Sequence, residues 1–167
     1  MAWTITDRAS VDIGKADTPY IDDALRAHVT DVLMPRYETP LGALMETLHE
    51  VQHRHGHVPY QAMVEVADLL GIAPSQVLDV VSFYEEYHAE PVGEHVIAVC
   101  QSIACEVCGH QAILDHLKSR LGIGLHETSE DGKFTLLALE CLGSCDTAPC
   151  ALVGDKRCDN LTISALD

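Results

Sequence analysis

The position of the cysteines constrains this chain more than any other feature of its sequence. All seven lie in the second half of the 167 residues, and an odd number of thiols without a visible export signal argues against a disulfide framework. In a reducing compartment, clustered thiols more often bind a metal or carry out redox chemistry. We therefore expect a cytoplasmic protein with a metal or redox centre in its second half. The seven are Cys100, Cys105, Cys108, Cys141, Cys145, Cys150 and Cys158.

The charge of the chain excludes two classes of partner. It has 26 acidic residues against 10 Lys and Arg residues, which gives a net charge of −16. Phosphate backbones and anionic membranes repel such a chain, so we expect it to bind neither nucleic acid nor a lipid surface. Its apolar runs fall short of the roughly 20 residues that span a bilayer. Residues 1–10 also lack the pattern of a signal peptide.

Helical periodicity dominates the first half of the chain. Gly56 and Gly71 each follow a segment of this kind, as glycine commonly does where a helix ends. We interpret Phe83 and Tyr84 as bundle core or as the edge of an interface. The pattern predicts a small helical bundle over residues 1–92. Its expected helices are Ile21–Leu33, Gly42–Val51, Tyr60–Leu70 and Ser75–Tyr84.

The second half changes to the short alternating runs that are typical of strands. A helix is expected over Gly109–Leu121, after the first of these runs. Strand, helix, strand and then antiparallel strands predict an α/β domain over residues 93–167, so the whole chain is expected to be α+β. The expected strands are Glu94–Val99, Leu125–Thr128, Phe134–Leu139, Cys150–Val153 and Arg157–Asn160.

Four of the cysteines form two pairs, each expected on a loop at the end of a strand. Cys100 and Cys105 follow the first strand, and Cys141 and Cys145 follow the third. Two pairs suit a [2Fe–2S] cluster, because each iron is tetrahedral and takes two thiolates beside its bridging sulfides. Gly143 lies within the second pair, where it lets backbone N–H groups approach sulfur without an intervening side chain.

Spacing alone leaves three other interpretations of these thiols open. A zinc site would use Cys105 and Cys108 together with the second pair. Cys105 and Cys108 alone would form a thioredoxin-like dithiol. The third possibility matches the plant-type ferredoxin spacing, although a helix predicted directly after Cys108 disfavours the open loop that such ligands occupy. Its ligands would be Cys100, Cys105, Cys108 and Cys141.

Taken together, these motifs resemble one known family. The sequence is similar to the small thioredoxin-like [2Fe–2S] subunit of the NADH-oxidising module of respiratory complex I. NAD-reducing hydrogenases and NAD-dependent formate dehydrogenases share this family. The resemblance runs over residues 40–161, and the cysteine spacing together with the Cys-Leu-Gly-x-Cys run is its most specific part. The segments that carry it are Glu50–Pro59, Val81–Tyr84, Val99–Cys105, Glu140–Cys145 and Asp159–Thr162.

The resemblance implies a fold, a cofactor and a set of ligands. The fold would be an N-terminal helical bundle followed by a thioredoxin-like α/β domain. The cofactor would be one [2Fe–2S] cluster, and Cys108, Cys150 and Cys158 lie outside the implied ligand set. The implied ligands are Cys100, Cys105, Cys141 and Cys145.

We expect an electron-transfer subunit rather than a complete enzyme, because the chain has no recognisable nucleophile–base motif and no nicotinamide or flavin fingerprint. The resemblance implies that it exchanges electrons with an FMN-containing, NADH-oxidising partner of an NADH:quinone oxidoreductase. FMN and NAD(H) would then be bound only by that partner. Further iron–sulfur subunits are expected in the complex, which would place the chain in the cytoplasm or peripherally on the inner face of the membrane, without insertion.

Three alternative functions also fit the sequence. The same role could be played in an NAD-dependent hydrogenase or formate dehydrogenase. The chain could also act as a freely shuttling ferredoxin. A function of a different class is a zinc-stapled structural adaptor, which would be colourless where an iron–sulfur protein is red-brown.

Overall fold

The computed structural model describes residues 16–166, so the expectation for residues 1–10 lies outside the described residues. The chain is divided into two compact units, with the boundary between Pro91 and Val92. Within the described range, no helix combines the length and the apolar character that crossing a membrane requires.

The first unit is helical, as the periodicity predicts. Gly56 and Gly71 adopt left-handed backbone conformations, with φ of 76° and 67°, at the ends of the second and third helices. Each of these glycines donates its N–H to a carbonyl of the last helical turn, which closes the helix. Within residues 16–91, the α-helices are α1 (Asp23–His28), α2 (Leu44–His55), α3 (Tyr60–Leu70) and α4 (Pro74–Phe83).

Irregular turns flank α1 and α2. A π-helical turn at Val29–Leu33 and a 3₁₀ turn at Met34–Arg36 extend α1, so the predicted first helix is a composite. A 3₁₀ turn at Pro40–Ala43 leads into α2, so the regular helix does not begin at Gly42 as the sequence predicts. Proline at the first position of this turn fits its fixed φ, and the regular helix starts only after it.

The apolar faces of these helices form the core of the first unit. Leu25, Leu48, Val66 and Val77 are among its fully buried members. Gln52 of α2 fixes the segment after α4, because its side-chain amide donates to the Glu86 carbonyl at 2.7 Å and accepts from the His88 N–H at 2.8 Å.

The prediction that Phe83 and Tyr84 lie in the bundle core is wrong. Phe83 is 77% exposed and Tyr84 is 42% exposed. The reason is local: α4 ends at Phe83, and Tyr84 is already extended, with φ −91° and ψ 120°. The helical period that would turn Tyr84 inward is therefore broken. Their alternative role at an interface edge stays a prediction.

The second unit is built on a five-stranded sheet in the order β2-β3-β1-β4-β5. β1 is parallel to β3 and antiparallel to β4, and the two outer pairings are antiparallel. A mixed sheet with its own helices, preceded by a helical unit, confirms the α+β class. The strands are β1 (His95–Cys100), β2 (Glu127–Thr128), β3 (Phe134–Leu139), β4 (Ala151–Val153) and β5 (Lys156–Cys158).

Two helices follow β1 rather than one. A short helix, α5 (Ile103–Val107), comes first and was not predicted. The predicted helix is observed as α6 (His110–Leu121), and Ile113, Leu114 and Leu117 of α6 form a core with the sheet. Gly109, with φ of 87°, separates the two helices.

Gly93 has no room for a side chain at the start of the second unit. Its N–H donates to the buried Thr135 hydroxyl at 2.7 Å. A Cβ on Gly93 would lie 2.8 Å from the backbone N and C of Phe134. Any larger residue at this position would therefore have to displace the backbone of β3.

We predict that Gly93→Ala lowers the free energy of unfolding by about 1–3 kcal/mol, the usual cost of forcing extra atoms into a packed site. Denaturant unfolding followed by circular dichroism measures this. Gly124→Ala is the matched control, because the atoms nearest to the added Cβ belong to the end of the flexible Glu127 side chain, the first at 3.1 Å. Equal stability of the two variants would contradict the steric argument.

Candidate metal centre

Strand pairing brings three cysteine-bearing segments to one edge of the sheet, the edge at which β1 and β3 end and β4 begins. Because β1 and β3 are parallel, Cys100 at the end of β1 lies beside Leu139 at the end of β3. β4 runs the opposite way, so its first residues lie at the same edge. The Cys100 N–H donates to the Cys150 carbonyl at 3.0 Å, and the Gln101 N–H donates to the Leu139 carbonyl at 2.8 Å.

Three buried thiols meet at this edge. The Sγ atoms of Cys100, Cys105 and Cys150 all lie within 4.8 Å of one another, and those of Cys105 and Cys150 are 3.8 Å apart. Each residue is 3% exposed or less. Leu142 and Ala148 pack against these three residues, which we call the three-thiol cluster. The three sulfur atoms are therefore buried next to apolar side chains.

The three thiols differ in how readily they ionise. Burial acts to raise the pKa of Cys100, but hydrogen bonds from the backbone of Ser102 and Leu142 and from the two neighbouring thiols together outweigh it, so the pKa lies below its ordinary value. Burial raises the pKa of Cys105 and raises that of Cys150 to about 12. Cys100 is therefore the first of the three to become a thiolate, and Cys150 is a protonated thiol at neutral pH.

The second predicted pair lies on the loop that follows β3. Cys141 and Cys145 are both exposed, and Gly143 between them has a φ of 68°. The Gly143 N–H donates to the Cys141 Sγ at 3.3 Å, which is the backbone approach to sulfur that the sequence predicts. Leu142 of this loop is the residue that packs against the three-thiol cluster.

A partly buried network of hydroxyl and carboxylate groups fixes this loop. Asp159 Oδ1 accepts hydrogen bonds from the Ser144 hydroxyl at 2.8 Å and the Thr147 hydroxyl at 2.9 Å, while Arg157 Nε donates to Oδ2 at 3.1 Å. Ser144 itself is buried. The Ser144 hydrogen bond is the main reason that the pKa of Asp159 lies below its ordinary value, with Thr147 and Arg157 adding to it.

The structure thus brings together only part of the predicted ligand set. Cys100 and Cys105 belong to the three-thiol cluster, whereas Cys141 and Cys145 are outside that compact group of sulfur atoms. Cys105 also lies within α5 and not on a loop. The assignment of Cys141 and Cys145 as ligands stays a prediction.

Cys150 is the residue that the sequence analysis missed. Nothing in its spacing from the other cysteines marks it, since it becomes a neighbour of Cys100 only through the pairing of β4 with β1. By contrast, Cys108 is exposed and Cys158 is partly exposed, and both lie outside the compact group of sulfur atoms. The rival ligand sets that use Cys108 therefore gain no support from the described residues.

We predict that Asp159→Asn loosens the loop of Cys141 and Cys145. The amide lacks the charge that three donors now stabilise, so the backbone amides of Gly143 and Ser144 should exchange with solvent severalfold faster and the melting temperature should fall. Hydrogen-exchange mass spectrometry and thermal unfolding measure these effects. Asp155→Asn, an exposed acid in the β4–β5 turn, is the control and should change neither.

The same prediction has a pH dependence. Asp159 has a lowered pKa in the folded chain, so its stabilising effect is fully present above the ordinary carboxyl pKa of about 3.9 and is lost as the pH falls through the lower folded value. The difference in melting temperature between wild type and Asp159→Asn should therefore shrink below about pH 4. A constant difference down to strongly acidic pH would count against the role of the carboxylate.

The chain is similar in sequence to subunits of NADH-quinone oxidoreductases. An NADH-quinone oxidoreductase subunit of Rhizobium meliloti (strain 1021) is 41% identical over 132 residues, which cover 79% of either chain. Its counterpart from Escherichia coli (strain K12) is 41% identical over 133 residues and 80% of either chain. An NADH-quinone oxidoreductase subunit of Thermus thermophilus is 39% identical over 114 residues, 68% of this chain and 63% of that one.

Solved structures confirm the predicted thioredoxin-like fold. An air-oxidized NAD⁺-reducing [NiFe]-hydrogenase matches 74% of this chain with a TM-score of 0.64, and its H₂-reduced form matches 78% with a TM-score of 0.65. Identity is 23% in both, so this likeness concerns the fold alone, and the match spans only 22% of each hydrogenase chain. Residues 30–167 match the family described as thioredoxin-like [2Fe-2S] ferredoxin. The chain belongs to this thioredoxin-like [2Fe-2S] ferredoxin family.

Proposed function

We propose that this chain is an electron-transfer subunit of an NADH:quinone oxidoreductase-type complex. It carries one [2Fe–2S] cluster on Cys100, Cys105, Cys141 and Cys145, two thiolates to each iron. The observation that carries the proposal is the meeting of two thiol-bearing segments at one edge of the sheet. Cys100 and Cys105 are gathered there, and the loop of Cys141 and Cys145 contacts them through Leu142. The identity to subunits of NADH-quinone oxidoreductases supports the same assignment.

The residues present fit such a cluster. Cys100 already receives backbone hydrogen bonds that favour its thiolate, and the Gly143 N–H points at the sulfur of Cys141. Hydrogen bonds to ligand sulfur and exclusion of water are the means by which a protein tunes an iron–sulfur centre. When bound, the cluster supplies reversible one-electron chemistry. The chain itself holds the thiolates in place and shields those on the inner side from water.

The surface next to the site suits a docking partner. Ile103 and Val107 lie four residues apart on α5, the helix that also carries Cys105. They are 79% and 82% exposed, which is unusual for apolar side chains. Residues at this spacing share one face of a helix, so the two form an apolar patch on the surface of α5. Cys105, between them in sequence, is buried on the same helix.

We propose that this patch contacts the FMN-containing, NADH-oxidising subunit. A short path between the buried thiols and the docked subunit would favour electron exchange. FMN and NAD(H) would be bound by the partner only, and further iron–sulfur subunits would complete the complex. The assembly would be cytoplasmic and peripheral on the inner face of the membrane.

Single cysteine replacements test the cluster. We expect Cys100→Ala, Cys105→Ala, Cys141→Ala and Cys145→Ala each to lose most of the iron and sulfide bound per chain. The red-brown absorption and the EPR signal of the dithionite-reduced protein should be lost with them. Cys108→Ala and Cys158→Ala are the controls and should retain both, because neither residue lies in the site.

Two results would contradict this assignment. Loss of the cluster in Cys108→Ala but not in Cys145→Ala would favour the plant-type ligand set. A colourless native protein that contains zinc would favour the structural adaptor.

The double variant Ile103→Ser/Val107→Ser tests the docking patch. Burial of each side chain contributes about 1.5 kcal/mol or more, so we expect the loss of both to weaken binding to the flavoprotein subunit by about a hundredfold or more. Co-purification and binding titration with the native partner measure the loss, and iron content should not change. Ile163→Ser, which alters an apolar residue that is 45% exposed elsewhere on the second unit, is the control. Undiminished binding by the double variant would refute the patch.

A further inference from the structure

Cys150 takes no part in the proposed cluster, although it is the most deeply buried cysteine of the site. It is 0% exposed, and its sulfur lies 3.8 Å from that of Cys105. Buried thiols are common as small apolar side chains, so burial alone would not single out Cys150. The feature that needs an explanation is therefore the compact group of three.

The spacing of the three sulfur atoms fits a single metal ion. Zinc binds thiolate at about 2.3 Å, which places two sulfurs of a tetrahedral ion about 3.8 Å apart and those of a trigonal ion about 4.0 Å apart. The Cys105–Cys150 separation of 3.8 Å equals the tetrahedral value, and the whole group lies within 4.8 Å. Small changes in side-chain torsion would bring all three sulfurs into bonding range.

The surroundings favour a divalent ion of soft character. Thiolate ligands select zinc, copper(I) and iron–sulfur clusters over hard cations. Three thiolates with a divalent ion leave a net charge of −1, whereas a monovalent ion would leave −2 beside the apolar side chains of Leu142 and Ala148. Buried net charge is costly, so the divalent ion is preferred. The backbone hydrogen bonds to Cys100 offset part of the remaining charge.

We propose that the chain, when it lacks its cluster, binds one zinc ion through the sulfurs of Cys100, Cys105 and Cys150. The fourth position of the ion is left to water, as in other zinc sites with three protein ligands. Binding displaces the thiol protons into solvent, so the affinity rises with pH. Because zinc and the proposed cluster both need Cys100 and Cys105, they exclude each other.

Beyond Cys100 and Cys105, which both centres need, the zinc site and the cluster depend on different cysteines, so the zinc site can be tested separately from the proposed function. Zinc requires Cys150 but not the exposed loop, whereas the cluster requires Cys141 and Cys145 but not Cys150. A pair of variants therefore distinguishes them. Cys150→Val removes the third thiol and retains an apolar side chain, and the double variant Cys141→Ala/Cys145→Ala removes the loop thiols.

The test is a titration of the full-length, cluster-free, reduced chain with Zn²⁺ against a chromophoric chelator. Cd²⁺ is used in parallel, because its thiolate complexes absorb in the ultraviolet. We expect one ion per chain in the wild type and in Cys141→Ala/Cys145→Ala, with similar affinity. Cys150→Val should bind at least about tenfold more weakly, since even the loss of an outer-shell partner costs a metal site about 10–100-fold. Cys108→Ala and Cys158→Ala are controls that should match the wild type.

Wild-type affinity in Cys150→Val would overturn the inference, provided that circular dichroism shows an unchanged fold. Loss of zinc in Cys141→Ala/Cys145→Ala would also overturn it, since the ion would then occupy the ligand set of the cluster. Reconstitution with iron and sulfide gives an independent measurement. Preloaded zinc should slow cluster formation in the wild type and have little effect in Cys150→Val.

Discussion

The pairing of β1 with a parallel strand on one side and an antiparallel strand on the other is the constraint on which the site depends. Parallel pairing places the loop after β3 next to the end of β1, and antiparallel pairing places the start of β4 at the same edge. Two backbone hydrogen bonds, from Cys100 to Cys150 and from Gln101 to Leu139, fix this junction at 3.0 and 2.8 Å. Residues about 40 to 50 positions apart in sequence thereby share one pocket.

The two cysteine-bearing sides of this pocket are stabilised in different ways. On the inner side, Cys100 and Cys105 are held by the end of β1 and by α5, and burial within the sheet and helix keeps them in place. The Cys141 and Cys145 side chains on the neighbouring loop are exposed instead. The conformation of this loop depends on Gly143 and on the hydrogen bonds that Asp159 accepts from Ser144 and Thr147. An exposed loop can thus keep a defined shape because a polar network beneath it replaces an apolar core.

Local signals allowed much of the fold to be predicted, and long-range pairing accounts for the rest. Gly56 and Gly71 mark helix ends because a left-handed residue is needed there, and the sequence shows this directly. Tyr84 was placed wrongly because the helical period gave no sign that α4 ends one residue earlier. Cys100 and Cys105 were identifiable from spacing. Cys150 was not, since its position depends on strand register, which no local pattern encodes.

The buried thiols and the exposed thiols suit different kinds of metal centre. A single ion needs only sulfurs that already lie close together, and the three-thiol cluster supplies them without ordering any other part of the chain. A two-iron centre needs a second pair of thiolates, which the exposed loop can offer. The order that Asp159 imposes on this loop therefore bears on which centre forms. Any change that loosens the loop should weaken the [2Fe–2S] cluster more than the single-ion site, because in the proposed assignments the loop supplies half of the ligands of the cluster and none of those of the single ion.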